Sequence, residues 1–290
     1  MFLILDLTVL ILTKNEESNI SKCIDSFRGI AKKFVIIDSF SVDKTEEICR
    51  LKSKEVELDF YQREFDNHAE QFNWGLNNTG IDSNWIMRID ADEELTVELA
   101  NELVNILPEI GDEISGIYLN RRIYFMGKWI KYGGVYPLKV LRIFKRGKGY
   151  CENRMMDEHI VLNEGRSIDL NKDFIDNNKK DLEWWINKHN WYSGREMIDY
   201  LEVENHINRS VKPRVLGSQE ERKRWLKLNF YYRVPLMRRA MLFFIYRYFI
   251  RLGFMDGKEG LIYHFLQGYW YRFLVDAKIY EYKKDEHLLK

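Results

Sequence analysis

Cysteine is scarce in this chain: Cys23, Cys49 and Cys151 are its only three among 290 residues. An odd number without CxxC spacing argues against a zinc ribbon or a disulfide framework and reads as reduced thiols in a cytosolic compartment. Long apolar runs are missing too, and none reaches the roughly 18–20 residues that a membrane-spanning helix needs. The opening stretch from Met1 to Leu12 is apolar. It lacks a basic leader region and a small-residue cleavage site, and Asp6 interrupts it, so it reads as a buried first strand rather than a signal peptide. No GxGxxG follows that strand and no GxxxxGK[ST] occurs, which excludes a dinucleotide fingerprint and a P-loop. Net charge is also absent, with 45 basic residues against 45 acidic ones.

That balance conceals a gradient. Residues 1–105 carry 11 basic and 21 acidic side chains, residues 106–205 carry 16 of each, and residues 206–290 carry 18 and 8. Two ends of opposite sign either attract one another or face different partners, and a basic, aromatic tail points to an anionic surface. Hydrophobic residues make up 46% and aromatics 14%, so there is ample material for a core and an aromatic excess to account for.

Over the first hundred residues, short β-branched runs alternate with amphipathic stretches. The runs Leu7 to Leu12, Phe34 to Asp38, Val56 to Tyr61 and Trp85 to Ile89 predict strands. Helices are expected near Ser18 to Phe27, Asp43 to Lys52, Asn67 to Asn77 and Thr96 to Leu107. This alternation implies an α/β fold with a mostly parallel sheet and helices on both faces, whose ligands bind beyond the carboxyl ends of the strands. Thr13, Asn15 and Glu16 follow the first strand, Asp38 and Asp43 the second, and Asp90 and Asp92 the fourth. All are expected on one rim.

The segment Asp90-Ala91-Asp92-Glu93-Glu94 is the most informative of these. Alone, it could be a solvated acidic turn opening a helix. Carboxylates also suit Mg²⁺ or Mn²⁺, which take one or two of them while substrate phosphates and water complete the shell. An acidic rim without a glycine cradle has to hold phosphates through such a metal, as for a nucleoside diphosphate whose bond is being broken.

Three motifs in order resemble the inverting family 2 glycosyltransferases of GT-A fold. Thr13-Lys14-Asn15-Glu16-Glu17 looks like their first nucleotide-binding loop, and Asp38 to Thr45 like the second, where Asp38 would contact the base. Asp90-Ala91-Asp92 matches their DxD motif, in which the first aspartate faces ribose or metal and the last binds the metal. Weaker likeness to the WaaE type of lipopolysaccharide-core and surface-polysaccharide enzymes lies in residues 153–159, 184–190 and the tail. The resemblance implies a nucleotide-sugar donor, a UDP-sugar first among them, a glycan or lipid-linked acceptor, and Mn²⁺ or Mg²⁺. No QxxRW motif of the processive synthases is found, which argues for addition of one sugar.

Direct displacement at the anomeric carbon also needs a base for the acceptor hydroxyl. Asp157 and Glu158 fall in what looks like the acceptor-side loop, and either would serve; His159 could touch the diphosphate or the metal. The expected division is a nucleotide-sugar-binding half over 1–110, an acceptor-side half over 111–178 and a helical, basic and aromatic region over 179–290. From Val234 to Leu252, Arg238, Arg239, Arg247 and Arg251 alternate with aromatics, a pattern suited to a membrane interface, a packed subdomain or a second subunit. The enzyme is thus expected to be cytoplasmic and peripheral at the inner face of the cell membrane. Nucleic acid is a poor partner for the acidic rim. A nucleotidyltransferase would need glycines that Thr13 to Glu16 lack, and an inactive scaffold would not need both DxD carboxylates.

Overall fold

The computed structural model describes residues 4–153, 158–204, 222, 225–227 and 229–288. It comprises two compact units, residues 1–127 with 137–179, and residues 128–136 with 180–290.

The first unit carries strands β1 (Leu5–Thr13), β2 (Ala31–Asp38), β3 (Leu58–Gln62), β4 (Trp85–Asp90), β5 (Glu93–Leu95) and β6 (Ile114–Phe125). The two-residue β7 (Lys128–Trp129) belongs to the second unit, and the first resumes with β8 (Leu138–Lys145), β9 (Gly149–Cys151), β10 (Ile160–Leu162) and β11 (Arg166–Asp176). Its helices are α1 (Ile20–Ser26), α2 (Thr45–Lys52), α3 (His68–Asn78) and α4 (Val97–Ile106). All four strands and all four helices expected in the first hundred residues are found, displaced by a few residues at most.

The main sheet runs β3-β2-β1-β4-β8-β6-β11-β5. Pairing is parallel from β3 through β4 and again between β6 and β11. It is antiparallel where β8 joins β4 and β6, and where β5 joins β11. The sheet is therefore mixed: the parallel pattern legible in the first hundred residues holds there and gives way beyond β4. Side chains alternate across the strands. Leu7, Val9 and Ile11 of β1 pack with Cys23, Ile24 and Phe27 of α1 and with Leu99 and Leu103 of α4. Leu10, Val35 and Ile37 meet Ala69 and Phe72 of α3 on the opposite face. Cys23, Cys49 and Cys151 are buried free thiols. Gly75 lets α3 approach the sheet closely, because a Cβ there would come within 2.2 Å of Ile37 Cδ1. Asn67 and Thr96 start α3 and α4 by accepting hydrogen bonds from the amides of Glu70 and Leu99.

The second unit is helical: α5 (Leu182–Glu204), α6 (Arg238–Ile245), α7 (Gly257–Tyr263) and α8 (Tyr271–Leu288), with π-helical turns at Tyr246–Ile250 and His264–Trp270. Tyr271, Val275 and Ile279 of α8 pack with Tyr192, Met197 and Tyr200 of α5. Arg239 is buried in this unit and pairs with Asp276, Nη2 to Oδ1 2.5 Å. Its guanidinium lies 4.9–5.3 Å from the rings of Tyr200, Tyr231 and Tyr232. The segment 128–136 is tied in through Asp256, which accepts from the amides of Lys131 and Tyr132. Gly133, at φ +71°, lies so near His264 that a Cβ would come within 2.0 Å of the ring.

His264 is fully buried, and among the described residues neither ring nitrogen has a hydrogen-bond partner. Asp256 Oδ2, 3.8 Å from Nε2, is committed to the two amides. Burial, reinforced by Arg247, pushes the imidazole down to about 3 from the ordinary 6.5. The folded chain thus binds fewer protons than the unfolded one between these values, and stability falls as pH drops below 6.5. Roughly 2 kcal/mol is expected to be lost from this group between pH 7 and pH 5. Thermal melts at both pH values check this: the acid-induced fall in Tm should shrink in His264→Phe.

Candidate active site

The carboxyl ends of β1 and β2 lie side by side, with Thr13 in register with Asp38. Asp38 is fully buried. Its carboxylate accepts from the Thr13 hydroxyl at 2.9 Å and from the Ser41 amide at 2.7 Å. Beyond the strands the two loops interlock. The Asn15 amide donates to Ser41 Oγ, and Asn15 Oδ1 accepts from the Val42 amide at 2.9 Å. The Glu16 amide donates to Thr45 Oγ1, and its carboxylate accepts from Asn19 at 2.7 Å. Asp43 accepts from the amides of Glu17 and Thr45. Lys14 closes the loop against the carbonyls of Ser39 and Phe40. Asn15 and Phe40 take left-handed backbone angles, φ 54° and 55°. Asparagine tolerates this; for phenylalanine it is a cost that the surrounding bonds maintain. The expected nucleotide loop residues are therefore together, and Asp38 is spent on shaping the pair of loops.

β4 parallels β1 on the other side, with Leu12 in register with Asp90. The chain then turns through Ala91 and Asp92 into β5, which β11 anchors by pairing Asp176 with Glu93. Asp92 is fastened by the Asn178 amide group at 2.8 Å, while its carbonyl accepts from the Asn177 amide. Burial alone would raise the Asp90 carboxyl, but Arg142 and Arg88 outweigh it and hold the group well below the usual carboxylate range. Arg142 Nη2 lies 3.4 Å from Asp90 Oδ2 and 2.5 Å from Glu93 Oε1. Glu93 in turn accepts from the Asp90 amide. Burial pushes the Glu93 carboxyl up, against Arg142.

Arg88 is the link to the segment between β9 and β10. From β4 its Nε reaches within 3.9 Å of Asp90 Oδ1, and its Nη2 lies 3.2 Å from Glu158 Oε1. The hairpin that presents Glu158 is held at its neck by β9 and β10, which pair Cys151 with Ile160. Asn73 of α3 grips both the amide and the carbonyl of Cys151. His159 sits at the same neck, where its carbonyl accepts from the Glu152 amide and its own amide donates to Glu152 Oε1. Asp157 lies outside the described residues. Arg88, Arg142 and Asn178 carry no role in the sequence reading, and Glu93 enters it only as part of the acidic segment. An arginine inside the otherwise apolar run Trp85–Ile89 is the one visible signal, because a charge buried on a central strand needs a partner.

Among the described residues, no three His, Cys, Asp or Glu side chains stand together as a metal site. Asp90 and Asp92 still fit Mg²⁺ or Mn²⁺. They are part-exposed, one is held ionised, and such ions accept one or two protein carboxylates when diphosphate and water supply the rest.

The chain is similar to known glycosyltransferases. The chain is 28% identical to the lipopolysaccharide core biosynthesis glycosyltransferase LpsC of Rhizobium meliloti, over 99% of this chain and 94% of LpsC. An uncharacterized glycosyltransferase of Rickettsia bellii is 25% identical, over 95% and 86%. Among solved structures, TarS 1-349 of S. aureus in complex with UDP-GlcNAc aligns over 96% of this chain and 92% of its own, at 13% identity and a TM-score of 0.45. The profile of glycosyl transferase family 2 matches residues 8–153, which include the carboxyl ends of β1, β2 and β4. With that match over half its length, the chain belongs to glycosyl transferase family 2 and is a glycosyltransferase.

Proposed function

We propose that this enzyme transfers one sugar, with inversion, from a nucleotide-sugar donor to a glycan or lipid-linked glycan in bacterial lipopolysaccharide or cell-surface polysaccharide synthesis. It works at the inner face of the cell membrane. The observation that carries this reading is the Arg88 bridge, which brings an acceptor-side carboxylate, Glu158, to the DxD aspartate Asp90. A displacement at the anomeric carbon needs both groups at one place.

In this reading Thr13, Asn15, Glu16, Asp38 and Asp43 form the loop pair that receives the nucleotide, a uridine diphosphate first among candidates. Asp90 and Asp92 would hold Mn²⁺ or Mg²⁺, with His159 a further candidate at the rim. When bound, the cation supplies Lewis-acid stabilisation of the departing diphosphate. Glu158 or its neighbour Asp157 takes the proton from the acceptor hydroxyl as that oxygen attacks. With no protein nucleophile, a single displacement inverts the sugar. Arg142 sets the carboxylates of Asp90 and Glu93 for this work. The similarity to LpsC supports a lipopolysaccharide acceptor.

Calorimetry with UDP, GDP and dTDP, with and without Mn²⁺, tests the donor site. One nucleotide is expected to bind only with the cation, and Asp92→Ala is expected to weaken it tenfold or more, about 1.4 kcal/mol. Binding of no nucleotide under any condition would overturn the transferase reading.

A further inference from the structure

The second unit leaves an unusual amount of apolar surface uncovered. Phe249, Phe254, Phe265 and Phe273 are 55%, 47%, 46% and 37% exposed. They are not scattered. Tyr248 touches Phe254 and Phe249, Phe244 touches Phe249 and Phe265, and Tyr269 touches Phe265 and Phe273, with ring centroids 5.1–6.5 Å apart. One continuous aromatic ridge thus runs from the turn after α6 to the start of α8. Leu242, Ile245, Ile250, Leu252, Met255 and Leu261 add exposed aliphatic surface on the same helices and turns. Isolated apolar side chains on a surface need no explanation, but a contiguous patch does.

Charge selects the occupant. Between Arg238 and Phe273 the chain has six basic residues and two acidic ones, Asp256 and Glu259. Asp256 is buried on backbone amides and Glu259 pairs with Lys128, so little negative charge faces outward. Arg238, Arg251 and Lys258 are exposed. Arg239 and Arg247, which the sequence pattern also placed at the interface, turn inward: one meets Asp276, the other donates to the Gly133 carbonyl. The cations left outside are those flanking the ridge. Apolar side chains rimmed by cations, with acid withdrawn, complement an anionic bilayer surface, where rings enter the headgroup layer and the cations meet lipid phosphates.

The geometry points to this ridge, centred on Phe249 and Phe265 and flanked by Arg251 and Lys258, as the surface by which the enzyme docks on anionic lipid. The inference deepens the membrane-surface part of the proposed function and rests on that reading. No helix of the described residues is long and apolar enough to cross a membrane, so the contact is one of lying on the bilayer.

Flotation of the full chain with phosphatidylcholine vesicles, with and without phosphatidylglycerol, tests it. The expected result is binding to the anionic vesicles that weakens with salt. Phe249→Ser with Phe265→Ser, and separately Arg251→Glu with Lys258→Glu, are expected to lower partitioning tenfold or more, while nucleotide affinity by calorimetry stays unchanged. Three results would overturn it: no flotation of a wild-type chain that binds nucleotide, flotation that both variants retain, or a dimer that the Phe249→Ser, Phe265→Ser variant dissociates without any vesicle binding. The last would give the ridge to a second copy of this chain. Flotation without nucleotide binding would leave the docking surface standing and remove the transferase reading instead.

Discussion

Arg239→Ala is expected to destabilise the second unit by about 3–5 kcal/mol, the cost of leaving a buried carboxylate without its counter-ion. Asp276 would be that carboxylate. Both partners are at most 2% exposed, and Asp276 also anchors the Met237 amide at 2.7 Å. Burial works against the Arg239 charge, but Asp276 more than offsets it and keeps the guanidinium protonated. Because the desolvation penalty of such a pair largely cancels its attraction, removing both charges together is a different matter. Arg239→Met with Asp276→Leu should recover most of the loss, up to the share that the three tyrosines contribute by enclosing the cation. Urea denaturation of the wild type, the single and the double variants measures this. A single-variant loss below about 1 kcal/mol would mean that the pair is far better hydrated than its burial implies.

Glu158→Gln is expected to reduce kcat by about 10²–10⁴-fold, the usual worth of a positioned general base, with nucleotide affinity intact. Glutamine keeps the shape and the contact to Arg88 but cannot take up a proton. Asp157→Asn is the companion, since the two carboxylates are adjacent in sequence. The variant that loses turnover without losing donor binding identifies the base. Should both retain wild-type kcat, the proton goes elsewhere and the proposed role of this segment is wrong. Arg88 gives a way to separate position from chemistry: Arg88→Met frees Glu158 from Asp90 and should raise KM for the acceptor before it abolishes turnover.

The parallel half of the sheet was legible because its signal is local. A buried strand between two helical faces reads as a short apolar run, and Leu7 to Leu12 or Phe34 to Asp38 announce themselves so. Motif residues at the ends of those strands follow from the topology alone, which is why the sequence itself puts Asn15, Asp43, Asp90 and Asp92 on one rim. What lies beyond β4 was not legible. β8 and β11 pair with strands distant in sequence, so the turn from parallel to antiparallel depends on long-range register. Arg142 reaches Asp90 and Glu93 only through that register, 52 and 49 residues away. The tail misled in a simpler way. Counting arginines along Val234 to Leu252 cannot tell an arginine that meets an inward carboxylate from one that meets solvent, and Asp276, Arg239's partner, is 37 residues on.

The strap of residues 128–136 bears on how the chain is made. Its amides at Lys131 and Tyr132 await an acceptor, Asp256, that lies 125 and 124 residues further along. On a ribosome adding about 5–20 residues per second, that interval is on the order of ten seconds. For that time the strap hangs from a sheet whose own strands, through β6, have already emerged. Severing the polypeptide near residue 180 would leave each fragment incomplete, one holding a strap without its acceptor and the other a buried His264 without the glycine that covers it. The second unit is therefore a late-closing part of the molecule, whose strap and its acceptor are made more than a hundred residues apart.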